Sequence, residues 1–313
     1  MAGAPCRSTI EAALLRQVVI DRRHHRTDAR PSVCAALFHC DRTTMKTLET
    51  GLFLNRIPFA KIGSGANPVV VLNGGQAFVR RPTPARTRRD AGRIARLLPP
   101  QRTIYVLGYD CAPAADYSID TIVHDVAGIL RDEIGPASVM GISFGGFVAA
   151  RLAADHPSLV KSLILLVSAH RFSPEGRRSI DRQIACAWAG DFQGFLDEFG
   201  LVFRRPWFNW LLRLRFRRER KRLHETMNDP AAIVRGLNAV AGEDFGADPG
   251  WLKRIRAPTL IVGGTKDPFF DVEAMEETAR LIPSAQLKLF KGETHMLPVE
   301  RARDVRRLVA GFL

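Results

Sequence analysis

The stretch Gly141-Ile142-Ser143-Phe144-Gly145, with Gly146 next, sets one serine among three glycines directly after an apolar run. A turn needs one such residue, sometimes two, so three around a serine imply something crowded lying close to the backbone. If "ASVMGIS" is a buried strand and "GFVAARLAADHP" a helix, Ser143 occupies a sharp strand-to-helix elbow. There its backbone is strained and its hydroxyl projects from the end of the sheet. Side chains at 141 or 145 would strike the neighbouring strand or helix, and Gly146 lets the helix pack close. The amide of Phe144, at the helix start, would face negative charge developing beside the serine oxygen. The spacing G-x-S-x-G also arises by chance, and the competing reading is a glycine-rich turn with an idle serine.

Serine is a poor nucleophile until a base takes its proton, and a histidine base needs a carboxylate to set its tautomer. "TLIVGGTKDPFF" puts Asp267 just past one strand, and "LKLFKGETHMLP" puts His295 just past the next. With Ser143 these lie at carboxyl ends of strands, where open α/β sheets place their ligand sites. The order Ser, Asp, His is one of the chain orders a triad takes. Asp271, four residues beyond Asp267, reads as part of the following helix. His156, in "ADHP", reads as a helix end, and His124 has no matching motif. His170, just past "KSLILLVSA", is a candidate to face the pocket.

The elements that must carry these residues are legible from about Thr47. "GLFLNRIPFAKIG" reads as a hairpin turning near Asn55, and "NPVVVLNGG", "TIYVLGYD", "ASVMGIS", "KSLILLVSA", "APTLIVGG" and "AQLKLFKG" read as strands. "SIDTIVHDVAGILRDEI" reads as a helix capped by Ser118, and "VEAMEETARLIP" as another that stops before a proline. Strand–helix alternation predicts a mostly parallel α/β sheet with helices on both faces. From about Arg171 to Trp251 the strands stop, and helix formers, aromatics and arginine take over.

The chain has 313 residues, 46% of them hydrophobic, enough for a generous core. No apolar run approaches the ~18 residues of a membrane span, and the N-terminus lacks the apolar core of a secretory signal, so the expectation is a cytoplasmic protein. Five scattered cysteines make no disulfide framework. His24, His25, Cys34, His39 and Cys40 match no zinc spacing, and no metal or other cofactor is expected. Residues 1–44 resemble nothing that follows and read as a dispensable extension, with Met45 as an alternative start. The net charge of +14 raises the question of a polyanion partner, yet arginine outnumbers lysine 38 to 8, as GC-rich coding would produce. Nucleic acid is not the expected partner.

"VMGISFGGFVAARLAADHPSLVKSLILLVSA" resembles the nucleophile elbow, following helix and next strand of the α/β-hydrolase fold superfamily. That family's acid motif falls on Asp267 and its terminal histidine on His295. The resemblance covers roughly 50–170 and 251–313. It implies a core of residues 45–170 and 251–313, with residues 171–250 as a helical cap. It also implies a second oxyanion amide in the loop after the first long strand. Here that loop is "LNGGQ", with Asn73 where the family often has histidine. Gly75 is the first choice of donor and Gln76 the next. The activity implied is cleavage of an ester, lactone or related acyl bond in a small to medium apolar substrate. An acyltransferase or a carbon–carbon bond hydrolase would use the same residues, and a non-catalytic hydrolase-fold binding protein is the reading from another class. Serine at 143 argues against the family's dehalogenases and epoxide hydrolases, which carry aspartate there.

Residues 203–224, "FRRPWFNWLLRLRFRRERKRLH", space Trp207, Trp210, Leu211 and Leu214 as one helical stripe. The expectation is that this stripe lines the pocket, with Gln76, His170, Trp207 and Trp210 as candidate pocket residues, while the arginines meet water. Peripheral membrane contact through this helix, or an inward arginine pairing with an anionic substrate, are the sharper alternatives.

Overall fold

A computed structural model describes residues 48–198, 202–241 and 248–313, all within the compact unit Cys40–Leu313. The readings of residues 1–44, of Met45 and of the His/Cys group at 24–40 lie outside the described residues.

The described residues begin with the expected hairpin, β1 (Leu48–Phe53) and β2 (Ile57–Ile62), paired antiparallel through a turn in which Leu54 and Asn55 take positive φ. β3 (Val69–Leu72) leads to a short helix, α1 (Gln76–Val79), and then α2 (Pro84–Ile94), started by Thr83, whose hydroxyl accepts from the Arg86 amide. β4 (Ile104–Leu107) is followed by α3 (Ile119–Ile129), where Ser118 and Thr121 form a reciprocal capping box. β5 (Ala137–Ile142) runs into α4 (Phe144–Asp155), and β6 (Val160–Leu166) follows.

Five helices then intervene: α5 (Pro174–Trp188), α6 (Phe192–Glu198), α7 (Pro206–Arg218), α8 (Arg220–Glu225) and α9 (Pro230–Ala241). The sheet resumes with β7 (Thr259–Gly264), α10 (Val272–Leu281) and β8 (Ala285–Phe290), and the chain closes with α11 (Leu297–Glu300) and α12 (Ala302–Phe312).

The eight strands lie in the order β1-β2-β4-β3-β5-β6-β7-β8, parallel from β4 to β8. Period-two alternation divides the core between the two faces. Val69, Val71, Ile104, Val106, Met140, Ile164 and Val262 pack with Ile94 of α2 and with Val305 and Val309 of α12. Val70, Leu72, Val139, Leu163, Leu165 and Ile261 pack with α3, α4, α10 and the inserted helices. Both faces being covered explains why the central strands read as continuous apolar runs. β8, at the edge, is only half buried and alternates instead.

The insertion is tied back to the loop after β3. Asn228 donates from its amide nitrogen to the carbonyls of Phe78 and Cys111, both at 3.2 Å, and its backbone N–H donates to Val79. A Cβ on Gly236 of α9 would fall 2.6 Å from the Phe78 ring, so α9 lies directly on α1.

Candidate active site

Ser143 takes φ +52° and ψ −121°, outside the conformations an L residue prefers. Its amide donates to the Leu166 carbonyl at 3.0 Å, and its carbonyl accepts from Gly146 N–H and from the Ser168 hydroxyl. The elbow is thus bolted to β6 on one side and to its own helix on the other. A Cβ on Gly141 would lie 2.3 Å from the Gly145 carbonyl oxygen, and one on Gly145 would lie 2.1 Å from the Leu72 carbonyl oxygen. One on Gly146 would lie 2.0 Å from the Ser168 hydroxyl. The glycines are therefore what permits strand, elbow, helix and neighbouring strand to close on one another.

The two other residues meet the serine. His295 Nε2 lies 2.9 Å from Ser143 Oγ, and His295 Nδ1 lies 2.8 Å from Asp267 Oδ2. A carboxylate only accepts, so Nδ1 carries the hydrogen and bare Nε2 accepts from the serine hydroxyl. The second oxygen of Asp267 accepts from the backbone N–H groups of Phe269 and Phe270, at 2.9 and 3.2 Å. The Asp267 side chain is fully buried, so these bonds hold its orientation. Phe269 meets the imidazole edge-on and Phe270 stacks on it, with centroids 4.9 and 5.9 Å away. Asp271 is not a rival acid: it caps α10, its carboxylate accepting from Ala274 N–H at 2.8 Å.

The loop after β3 lies against the serine, since a Cβ on Gly74 would sit 3.5 Å from Ser143 Cβ. Asn73 shapes this loop: its side chain accepts from Gly74 N–H, and its carbonyl accepts from the Tyr109 hydroxyl. Among the described residues, no protein acceptor takes the amides of Gly75 or Gln76. The Phe144 amide is likewise open, because it begins α4. Its ring is wedged edge-on against Phe78 and Tyr109, at 5.0 and 5.1 Å, which fixes the helix start.

Supporting residues appear that sequence reasoning missed. Glu293 is 1% exposed and accepts from Arg301 at 2.8 Å and from Arg204 at 3.1 Å, while its carbonyl accepts from Lys266 N–H. It joins the histidine loop, the aspartate loop and the segment before α7. No motif marks it; its nearness to His295 in sequence was the only signal. Ser168 had none, since its partner lies 25 residues away in sequence.

Two pocket expectations are corrected. His170 faces α10 and is 1% exposed. Its Nδ1 and its backbone N–H lie 2.9 and 3.1 Å from the Thr278 hydroxyl, which itself donates to the Ala274 carbonyl. The hydroxyl can then only accept, so the His170 hydrogen sits on Nδ1. Its Nε2 has no hydrogen bond, and Glu277 lies 3.6 Å away. Burial outweighs that carboxylate and pushes the His170 pKa down to about 4, with Arg171 adding to the fall. Trp207 and Trp210 do not turn inward; they are 58% and 61% exposed. The apolar residues of α7 that are half-buried are Phe208, Leu212, Leu214 and Phe216 instead, so of the expected stripe only Leu214 is partly covered.

His170 makes stability depend on pH. Its folded pKa lies below the ordinary 6.5, so as pH falls the unfolded chain takes the proton first. Its contribution is complete above about pH 6.5 and is lost between there and pH 4, by about 3 kcal/mol. Denaturant unfolding at pH 7.5 and pH 4.5 should show a smaller loss in His170→Asn, which keeps a donor near Thr278 and does not titrate. An equal loss in both proteins would remove His170 as the cause.

Among the described residues, no group of three or more His, Cys, Asp or Glu comes together that could hold a metal, and no helix is long and apolar enough to cross a membrane.

Comparison with known proteins carries the geometry further. Over 217 residues the chain is 30% identical to a 2-hydroxymuconate semialdehyde hydrolase of Pseudomonas sp. strain CF600, covering 66% of this chain and 72% of that protein. Over 191 residues it is 28% identical to the pimeloyl-acyl-carrier protein methyl ester esterase of Chromobacterium violaceum, covering 57% of this chain and 70% of that one. The solved structure of a meta-cleavage product hydrolase from Pseudomonas fluorescens IP01 superposes with a TM-score of 0.64 at 19% identity. The match covers 84% of this chain and 96% of that one, and shows a shared fold. The family model for the alpha/beta hydrolase fold matches residues 97–302, a span that includes Ser143, Asp267 and His295. With eight strands in this order and a match over most of its length, the chain belongs to the α/β-hydrolase fold family and is an enzyme of that kind.

Proposed function

We propose that the protein is a serine hydrolase that cleaves a carboxylic ester, lactone or related acyl bond in a small to medium apolar substrate. The observation that carries this is the unbroken chain from Ser143 Oγ through His295 to Asp267, with separations of 2.9 and 2.8 Å. Ser143 attacks the carbonyl carbon while His295 Nε2 takes its proton. Asp267 stabilises the imidazolium. The open amides of Phe144 and Gly75 receive the oxyanion, with Gln76 the alternative donor. Collapse expels the alcohol, protonated by His295, and leaves an acyl-serine. Water, activated by the same histidine, then releases the acid. None of these steps needs a metal or organic cofactor. Phe270, fully buried, stacks on His295 and on Phe172, so the imidazole rests on an apolar base. The inserted helices, tied to the loop after β3, act as the cap.

Turnover of p-nitrophenyl esters of graded chain length, with fluorophosphonate labelling alongside, tests this. The expected result is labelling together with a preference for one chain length, which measures the pocket. No turnover and no labelling would support a non-catalytic binding protein.

A second reading rests on the relatives, since three of those similar in sequence are named as hydrolases of 2-hydroxymuconate semialdehyde or 2-hydroxy-6-oxo-2,4-heptadienoate. The same groups would then cut a carbon–carbon bond beside a ketone. Loss of dienoate absorbance from such a substrate, at a kcat/KM well above that for every ester, would favour this reading over the first.

A further inference from the structure

Helix α7 presents an apolar surface that stays largely exposed. Trp207, Trp210 and Leu211 stand at i, i+3 and i+4 on its first turns and are 58%, 61% and 39% exposed. Residues this large are seldom left bare side by side without a partner. The cations follow on the same helix and on α8. Arg215 pairs with Glu219, and Arg217 approaches Asp197 at 3.8 Å. Among the described residues, Arg205, Arg213, Arg218, Arg220, Lys221 and Arg222 have no carboxylate partner. Arg213 and Arg218 are exposed on α7, Arg218 falling within the angular span of the tryptophan stripe and Arg213 flanking it beside Trp210, and Arg220, Lys221 and Arg222 lie on α8.

We propose that this face docks on an anionic lipid surface, with Trp207, Trp210 and Leu211 entering the headgroup–acyl boundary and the unpaired cations meeting lipid phosphates. Tryptophan suits that boundary because its ring is apolar and its indole N–H stays hydrated. Arginines beside it extend along the apolar region and keep their guanidinium groups in the headgroup layer. Charge selects this occupant over a second copy of the chain. Two such faces would bring unpaired cations together, and each chain already carries +14. A bare polyanion would satisfy the arginines but leave the Trp207–Trp210–Leu211 stripe against water. The inference is independent of the hydrolase reading, because its readout is binding.

The test is co-sedimentation of the full chain with vesicles of phosphatidylcholine alone, or mixed with phosphatidylglycerol. Binding is expected with the anionic vesicles, weakening as salt rises. Trp207→Ala with Trp210→Ala should lower partitioning by about tenfold or more. Arg213→Gln and Arg220→Gln should each lower it about fivefold. Circular dichroism checks that these exposed substitutions leave the fold intact. Quenching of the wild-type tryptophan emission by brominated phosphatidylglycerol gives a second measurement that needs no variant. Four outcomes would overturn the proposal. They are no binding to anionic vesicles, binding undiminished by the tryptophan pair, no quenching, or a dimer that those substitutions dissolve.

Discussion

Ser143→Ala is expected to lower kcat on an activated ester by up to about a millionfold while changing KM little. The asymmetry follows from the geometry. The serine oxygen bonds to His295 before substrate arrives, at 2.9 Å, so removing it takes nothing from ground-state binding. It takes away the covalent route, and the proton that His295 is placed to accept then has no source. What survives is hydrolysis by water held near the open amides of Phe144 and Gly75. The fold should be unaffected, because the strain at φ +52° is in the backbone and the elbow's hydrogen bonds use main-chain groups of Ser143. Equal melting temperatures with loss of fluorophosphonate labelling are the predicted pair of results. Labelling at the wild-type rate in Ser143→Ala would mean that another residue is the nucleophile.

Asp267→Asn is the second large effect, about 10^4 in kcat, and it tests the role of the carboxylate rather than its presence. One Asp267 oxygen accepts from the amides of Phe269 and Phe270, and a carboxamide would keep its oxygen there. Its NH2 then replaces the oxygen that faces His295 Nδ1 at 2.8 Å. Nδ1 must become the acceptor, so the hydrogen moves to Nε2, which can no longer take the serine proton. The side chain stays packed and bonded, so stability should change by less than about 1 kcal/mol. Activity should recover partially at high pH, where hydroxide can substitute for the lost base. A loss below tenfold would show that the aspartate only fills space.

Much of this was legible along the chain because parallel strands buried on both faces leave continuous apolar runs, and the candidate site lies at the carboxyl ends of such strands. Ser143 follows such a run directly and Asp267 comes just after another, while His295 comes after β8, the half-buried edge strand that alternates; all three lie at carboxyl ends of strands in one sheet. The glycines at 141, 145 and 146 were legible for a related reason: a close backbone approach excludes every other residue. Trp207 and Trp210 were read as lining a pocket because helical spacing reveals that a stripe exists. It does not reveal which way the stripe turns. In the fold Phe208, Leu212, Leu214 and Phe216 become half-buried while Trp207 and Trp210 stay exposed. His170 follows a strand end just as His295 does, and nothing local distinguishes them; Thr278, 108 residues away, draws its ring under α10.

The sequence by itself determined the strands, the elbow and the identity of the three residues that meet, because burial, backbone crowding and chain order leave signatures in residue type and spacing. Tertiary structure alone decided that His170 turns to Thr278 rather than toward a pocket, which oxygen of Asp267 faces His295, and how Glu293 and Ser168 hold the loops. It also decided that the tryptophans of α7 stand outside. These are matters of direction between segments far apart in the chain, and direction is set only when the elements pack.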